Sequence, residues 1–310
     1  MSTLAGAIYF LRLGRPLFLA GGFALYLLGV TMALYDGARL NFNVLVWGQV
    51  AVTAVQIMTH YSNDYFDLAA DRANLTPTRW SGGSGILPAG LLSPKLALAM
   101  AVAAGLLALG ASMWLALALP TGPLALPLLL LALLLAWNYS APPLQLHSTG
   151  IGEAVAAVLI AGLTPIIGYY LQVGTLTLLP LLAVMPLIVL QSMMLLLIEF
   201  PDARGDAAVG KNTLVVRLGP ARAARLLQAL IAMHVPLIPL LALAGLPPLV
   251  AGALALFNAP GLLWLLLRLQ QNAWARPAWW NWLGLTGVAL VVGSTLVEIA
   301  AFTALLAGRP

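Results

Sequence analysis

The sequence is poor in charge and contains no cysteine. Only 7% of its 310 residues are charged, whereas about 25% is usual in a soluble domain. So few charges cannot cover the surface of a soluble protein of this length, which excludes a soluble enzyme, a disordered chain and a coiled coil. The absence of cysteine excludes disulfides, thiolate metal sites and a cysteine nucleophile.

Hydrophobic residues make up 62% of the chain and lie in long runs rich in Leu and Ala. These runs lack the alternation of a β-barrel strand, so we predict an all-α polytopic membrane protein with about nine transmembrane helices. The predicted spans are residues 16–35, 42–66, 93–119, 122–140, 151–171, 177–200, 221–244, 247–270 and 279–306. Each is long enough for an apolar core of ~30 Å.

The positive charges are distributed unevenly between the two ends of the spans. If the N-terminal side is called inner, twelve Arg and Lys residues lie on it and only Arg39 and Arg309 lie on the outer side. Cytoplasmic loops carry such an excess. We therefore expect an integral protein of a prokaryotic inner membrane with its N-terminus in the cytoplasm. The net charge of +5 is then explained by orientation, without a nucleic-acid partner.

Six of the nine acidic residues fall in two short clusters. The first cluster runs from Asn63 to Asp71 and the second from Glu199 to Asp206. Each contains Asp-x-x-x-Asp, a spacing that places both carboxylates on one helix face. Equivalent positions are 135 residues apart, with four spans between them. This spacing predicts a pseudo-repeat of four helices plus four, with one extra helix, around a central cavity.

Polar side chains continue from both clusters into the apolar spans. In the sixth span Gln191 lies eleven residues before Asp202. In the second span the polar stripe consists of Thr53, Gln56, His60, Asn63, Asp67 and Asp71. Polar faces of membrane helices point into the bundle, so we expect the two stripes to line one cavity that opens to the cytoplasm.

The paired carboxylates indicate a metal site. Like charges on one helix face repel unless a cation lies between them. Oxygen ligands suit Mg²⁺, which is commonly held by one or two carboxylates and by substrate phosphates. We therefore predict Mg²⁺ as the cofactor, bridging a diphosphate to both clusters. The predicted metal ligands are Asn63, Asp64, Asp67, Asp71, Asp202 and Asp206.

Basic and small polar residues lie near the clusters in the two long inner loops, residues 67–92 and 201–220. We expect these loops to form a cap over the site, within a single domain of residues 1–310. Ser81 and Ser84 belong to a Gly- and Ser-rich turn whose backbone N–H groups suit an anion. His60 is a candidate for contact with a second substrate. The candidates for phosphate contact are Arg72, Arg79, Arg204 and Lys211.

The motifs resemble those of the UbiA superfamily of intramembrane prenyltransferases over nearly the whole chain. The family hallmarks are Asn-Asp-x-x-Asp-x-x-x-Asp after the second helix, Tyr-Ser-x-Pro-Pro-Leu after the fourth and Asp-x-x-x-Asp after the sixth. Here the corresponding stretches are Asn63–Asp71, Tyr139–Leu144 and Asp202–Asp206. The stretch Gly210–Gly219 is also similar to the family. The loop after Pro142-Pro143, often basic in the family, contains Gln145 and His147 here.

The resemblance implies Mg²⁺-dependent transfer of a polyprenyl group from polyprenyl diphosphate, in contact with membrane lipid, to a small aromatic acceptor. Thr78–Gly90 and Arg15-Pro16 look closer to the 1,4-dihydroxy-2-naphthoate branch, which serves menaquinone biosynthesis. We therefore expect that acceptor and no obligate protein partner. The alternative acceptors are 4-hydroxybenzoate, homogentisate, chlorophyllide and a lipid precursor.

The implied chemistry is loss of diphosphate to give an allylic cation in a cavity that excludes water. Arg15 and Tyr139 are then candidate substrate-binding residues, and Lys211 is a candidate catalytic residue. The candidate bases for the ring proton are Asp67, Asp71 and Glu199. The alternative from another class is a multispan transporter, because transporters also contain internal repeats and polar groups within the membrane.

Overall fold

The computed structural model describes residues 3–308. Arg309, which the charge distribution assigns to the outer side, lies outside the described residues. The α-helices are α1 Thr3–Leu13, α2 Pro16–Tyr35, α3 Phe42–Phe66, α4 Leu68–Ala73, α5 Pro94–Ala118, α6 Ala125–Ser140, α7 Gly152–Ala157, α8 Thr164–Val173, α9 Leu178–Glu199, α10 Ala203–Ala208, α11 Leu214–Leu218, α12 Pro220–Leu243, α13 Pro248–Gln270 and α14 Pro277–Ala307. Shorter segments are the 3₁₀ turns Leu146–Ser148 and Ala273–Ala275 and the π-helix Val158–Leu163.

The predicted fold class is confirmed: residues 3–308 are helical and include no strand. Eight helices are long and apolar enough to cross a membrane, the fourth of them being the continuous stretch Gly152–Val173. The predicted span at 122–140 corresponds to the shorter apolar helix α6, which has 16 residues. Sixteen residues measure ~24 Å along a helix axis. One helix, α1, was not predicted from the sequence and precedes the first span.

The helices begin where the local sequence favours a helix start. Pro16, Pro94, Pro220 and Pro277 each occupy the first helical turn, where a missing backbone N–H costs nothing. Helix α3 begins at a side-chain cap instead, because the Val44 N–H donates to Oδ1 of Asn41 over 3.2 Å.

The helices enclose a space rather than a solid centre. Helix α3 packs against α5, and α2 packs against α8. Helix α14, the extra helix of the predicted pseudo-repeat, contacts α2, α9 and α13 and so closes the ring. The buried apolar side chains accordingly form several separate clusters between neighbouring helices. The centre of the bundle is left for a cavity.

Short helices connect the two acidic clusters above this cavity. Helix α4 follows α3 in the first long loop, and α10 follows α9 in the second. The two short helices pack against each other. A β-carbon at Gly205 would lie 3.0 Å from the Asn74 backbone, which shows how closely the loops approach. This contact brings together clusters that are distant in sequence.

Candidate active site

A cavity of about 290 Å³ opens at the acidic end of the bundle and extends between α2, α3, α9 and α14. Eleven of the predicted site residues line it: Arg15, His60, Asn63, Asp67, Asp71, Ser81, Tyr139, Glu199, Asp202, Asp206 and Lys211. The two predicted polar stripes therefore do meet in one cavity. Thr53 is not part of its lining, and its hydroxyl instead accepts from Nε2 of Gln49 over 2.9 Å.

Asp67 is bonded by three side chains. Its Oδ2 accepts from Nδ2 of Asn63 over 2.8 Å and from Nζ of Lys211 over 2.9 Å. Its Oδ1 lies 2.5 Å from Nε2 of His147. Although burial favours the protonated acid, Lys211 and His147 lower the pKa of Asp67 well below its ordinary value. The protein itself therefore holds this carboxylate ionised.

Lys211 joins the two clusters. Besides its bond to Asp67, its Nζ lies 3.6 Å from Oδ1 of Asp206. Burial disfavours the charged amine, but Asp67 and Asp206 outweigh this effect and raise the pKa of Lys211 above its ordinary value. The ammonium group is thus fixed in its charged form at the cavity wall, where an anion would enter.

Asp71 has a carboxylate oxygen that the protein leaves unused. Its Oδ2 is buried and has no hydrogen-bond partner. A β-carbon on Gly83 would lie 2.1 Å from this atom, so only glycine leaves room for it there. Burial, together with repulsion from Asp64 and Asp67, raises the pKa of Asp71 to about 7. This oxygen is available to a ligand or to a proton.

Asp202, in the second cluster, is bonded by neutral donors. Nδ2 of Asn74 donates to its Oδ1 over 2.6 Å, and the Gly82 N–H donates to its Oδ2 over 3.1 Å. Burial raises the pKa of Asp202 to about 6, and repulsion from Asp206 adds to the effect. No cation within the described residues forms an ion pair with Asp202.

Asp64, predicted as a metal ligand, does not line the cavity. Its side chain is fully buried and forms an ion pair with Arg15. The other carboxylate oxygen accepts from both the hydroxyl and the backbone N–H of Ser84. Both oxygens therefore face protein donors, and Asp64 ties the glycine-rich loop to the start of α2. Ser84, a predicted anion-binding residue, is likewise absent from the cavity lining.

Three of the predicted phosphate-binding arginines are exposed and do not line the cavity: Arg72, Arg79 and Arg204. The guanidinium of Arg79 lies over the ring of Trp80, 5.4 Å from its centroid. The cations that do line the cavity are Lys211 and Arg15, each already paired with a carboxylate.

Glu199 lies at the end of α9 beside a second buried acid, Glu153. Oε1 of Glu153 accepts from the Leu214 N–H over 2.6 Å, and its Oε2 is buried without a partner. Oε2 of Glu199 is buried without a partner. A predicted base of the site is therefore one half of a carboxyl pair.

Sequence reasoning missed two residues of the site. His147 bonds to Asp67 and stacks near Tyr139, with ring centroids 5.7 Å apart. Asn74 bonds to Asp202 from the other long loop. No regular spacing marks either residue, and each contact spans more than 70 positions. The available signals were the place of His147 in a loop that is often basic in the family and the place of Asn74 three residues after Asp71.

The donor set fits Mg²⁺ shared with a substrate. Among residues 3–308, no group of three or more His, Asp and Glu side chains converges into a complete metal site. Mg²⁺ needs only one or two carboxylates when phosphates supply further ligands. Asp71, with its unpartnered oxygen, and Asp202, which has no ion-pair partner within residues 3–308, can supply these one or two carboxylates. Both line the same cavity.

Residues 22–285 match the family model described as the UbiA prenyltransferase family. No individual curated protein sequence matches significantly.

The fold is similar to several solved membrane proteins. A UbiA homologue from Archaeoglobus fulgidus bound to DMAPP and Mg²⁺ has a TM-score of 0.64 and 18% identity, with 97% of this chain and 99% of that chain covered. The apo structure of a UbiA homologue from Aeropyrum pernix K1 has a TM-score of 0.68 and 18% identity, with 92% and 97% covered. A digeranylgeranylglyceryl phosphate synthase has a TM-score of 0.57 and 17% identity, with 98% of each chain covered.

Proposed function

The chain belongs to the UbiA prenyltransferase family, and we propose that it transfers a polyprenyl group from polyprenyl diphosphate to a small aromatic acceptor with Mg²⁺ as cofactor. One observation carries this proposal. Both acidic clusters line a single cavity that continues between apolar helices. A ligand that suits it has a strongly anionic head and a hydrocarbon tail. The A. fulgidus homologue bound to DMAPP and Mg²⁺ supports the same ligand class.

The proposed metal-binding residues are Asn63, Asp64, Asp67, Asp71, Asp202 and Asp206. Asp71 and Asp202 are the strongest candidates, because their carboxylates face the cavity without a cationic partner. When bound, Mg²⁺ neutralises the diphosphate and makes it a better leaving group. Asp64 would have to exchange its bonds to Arg15 and Ser84 before it served as a ligand.

Two bonds break and two bonds form in the reaction. The C1–O bond of the prenyl diphosphate breaks, and the electron pair leaves with the diphosphate beside Lys211. A ring carbon of the acceptor then bonds to C1, and its proton passes to a carboxylate. Glu199 is the best-placed candidate base, because its Oε2 is buried and unpartnered at the cavity wall. The apolar wall keeps water from capturing the cation.

We propose 1,4-dihydroxy-2-naphthoate as the acceptor, in menaquinone biosynthesis, on the similarity of the Thr78–Gly90 loop to that branch. We also propose that the N-terminus and the active site face the cytoplasm, on the charge asymmetry of the loops. An accessibility tag in the loop at residues 67–92 should then report the cytoplasm. A tag at the C-terminus should report the opposite side, and equal labelling of both would contradict the orientation.

The function is tested with purified protein, labelled polyprenyl diphosphate, Mg²⁺ and a panel of acceptors. We expect a labelled naphthoate product that requires Mg²⁺. A product from 4-hydroxybenzoate alone would contradict the naphthoate acceptor and assign the protein to the 4-hydroxybenzoate branch of the family. If no acceptor is prenylated and intact labelled diphosphate crosses the membrane, the transporter alternative holds. A donor fluorinated near C1 should react much more slowly, because fluorine destabilises the cation; an equal rate would exclude ionisation before transfer.

A further inference from the structure

Two glutamines occupy equivalent positions in the two halves of the bundle. Gln56 on α3 lies eleven residues before Asp67, and Gln191 on α9 lies eleven residues before Asp202. They are therefore 135 residues apart, like the acidic clusters themselves. Both glutamines line the cavity. The pseudo-repeat thus places an amide at the same depth on two of the helices that form the wall.

Neither amide is hydrogen-bonded to the described part of the protein. Gln191 is only 2% exposed, and Oε1 of Gln56 is buried without a partner. Two hydroxyls of the wall differ, because Thr59 and Thr295 donate to carbonyls of their own helices over 2.8 and 2.9 Å. A buried polar group without a partner is costly within a membrane bundle. A bound ligand that hydrogen-bonds to the two amides would remove this cost.

The Gln56 amide is held in place by its surroundings. It lies against the backbone of α2 at Gly22, where a β-carbon would come within 1.7 Å of Nε2. Gln56 is seven residues from Asn63, which corresponds to ~10 Å along the helix. That interval leaves room for C1 of the donor near Asn63 and for an aromatic ring below it.

The chemistry of the amides restricts the ligand. A prenyl tail is a hydrocarbon and has no use for hydrogen-bond donors or acceptors. The cations of the cavity, Arg15 and Lys211, are already paired with acids at its other end. A neutral amide offers both a donor and an acceptor, so it matches a hydroxyl or keto oxygen better than a carboxylate.

We infer that Gln56 and Gln191 bind the acceptor substrate through its neutral oxygen substituents, with one amide for each of two oxygens on the ring. The inference rests on the proposed function and deepens it. It assigns specificity for a dihydroxy-aromatic acceptor to residues that lie outside both acidic clusters.

The test compares Gln56→Met and Gln191→Met with Gln49→Met. Gln49 is a matched control on the same helix as Gln56: it donates to Thr53 and does not line the cavity. With 1,4-dihydroxy-2-naphthoate as acceptor, each cavity variant should raise the acceptor KM at least about tenfold. The KM for the prenyl diphosphate should stay within about twofold, because the donor head lies at the acidic clusters. The control should leave both KM values unchanged.

A second acceptor identifies the bonded groups. The mono-O-methyl ether of the naphthoate should have a much higher KM than the naphthoate with the wild-type protein. This difference in KM should be smaller in the variant that lacks the amide bonded to the methylated oxygen. Thermal melting without substrate gives an independent measure. Removing an unpartnered buried amide should raise Tm or leave it unchanged, whereas a structural amide would lower it.

Failure of the proposed function and failure of the inference about Gln56 and Gln191 give different results. If the wild-type protein binds no prenyl diphosphate in Mg²⁺, the proposed function itself fails. If the wild-type protein is active and both Met variants keep the wild-type acceptor KM, the amides do not bind the acceptor. A variant with lowered Tm and an equal loss of affinity for both substrates would show a structural role and overturn the inference.

Discussion

The two acidic clusters have the same spacing but different partners. Asp67 of the first cluster is bonded by Lys211 and His147, which keep it ionised. Asp202, its equivalent in the second cluster, is bonded by the amide of Asn74 and the N–H of Gly82, and burial raises its pKa to about 6. The two halves of the pseudo-repeat therefore share the spacing of their carboxylates but differ in the electrostatics around them.

This difference separates two tasks among the carboxylates. Asp67 positions Lys211 at the point where an anion enters. The negative charge of Asp67 is therefore already balanced by a cation of the protein. Asp71 and Asp202 have no cationic partner and hold negative charge only at an electrostatic cost. A divalent cation removes that cost. Among the proposed metal-binding residues, we therefore expect Asp71 and Asp202 to contribute most to metal affinity, and Asp67 to act mainly by positioning Lys211.

The largest effect is expected from Asp71→Asn. The substitution keeps the size of the side chain but removes the charge of the oxygen that has no protein partner. Turnover should fall ~10³-fold and Mn²⁺ binding, measured by electron paramagnetic resonance, should be lost from this side of the site. Asp64→Asn is the comparison, because Asp64 belongs to the same cluster but forms an ion pair with Arg15. Equal loss of Mn²⁺ in both variants would contradict the division of tasks.

The next largest effect is expected from Lys211→Met. It removes the ammonium that joins Asp67 to Asp206 and should lower kcat by ~10²–10³. Arg204→Met removes a cation of the same loop that is exposed and does not line the cavity. Its effect on kcat should be below about tenfold. A larger loss for Arg204→Met than for Lys211→Met would mean that the phosphate contacts lie outside the cavity.

A smaller effect is expected from pH. In the metal-free protein Asp71 and Asp202 have pKa values of about 7 and about 6. Both must be deprotonated to bind a cation, so the Mg²⁺ affinity should fall as pH is lowered through this range, by about tenfold per unit for each proton displaced. Asp67, whose pKa is lowered, should not contribute. Isothermal titration at pH 6, 7 and 8 measures this, and equal affinity at all three would contradict the pKa shifts.

The smallest effect is expected from Ser84→Ala. The substitution removes one of the bonds to Asp64 but keeps the backbone N–H of the same residue as a donor. The free energy of unfolding should fall by about 1–2 kcal/mol, with Mn²⁺ binding retained. A melting curve in detergent checks the stability. Loss of metal binding with unchanged Tm would make Ser84 part of the ligand site instead.

Much of the site could be predicted from spacing alone. Residues three and four apart share a helix face, which placed Gln56, His60, Asn63 and Asp67 along one cavity. The same rule does not explain why Asp64 is absent from the lining, because Asp64 follows His60 by four positions and precedes Asp67 by three, and so lies on the face of the stripe. Its bonds to Arg15 and Ser84, which come from other segments, determine its place. The arginine Arg204 lies midway between two aspartates of one face and so points to the opposite side.

The remaining contacts depend on tertiary packing that no periodicity describes. His147 reaches Asp67 from the 3₁₀ turn Leu146–Ser148, which packs against α6 and α7. Asn74 reaches Asp202 because α4 packs against α10. His147 lies in a three-residue 3₁₀ turn and Asn74 directly follows α4, so neither belongs to a long periodic stripe. Their roles follow only when the two halves of the bundle are brought together.

Direct binding of an unreactive prenyl diphosphate analogue tests most directly whether the two clusters act as one site. Geranyl thiolodiphosphate can be titrated into the purified protein with and without Mg²⁺, and then into Asp71→Asn and Asp202→Asn. We predict binding that requires Mg²⁺ and is lost in either single variant, because each cluster supplies part of one site. Binding that persists without Mg²⁺, or that survives in both variants, would contradict a shared site.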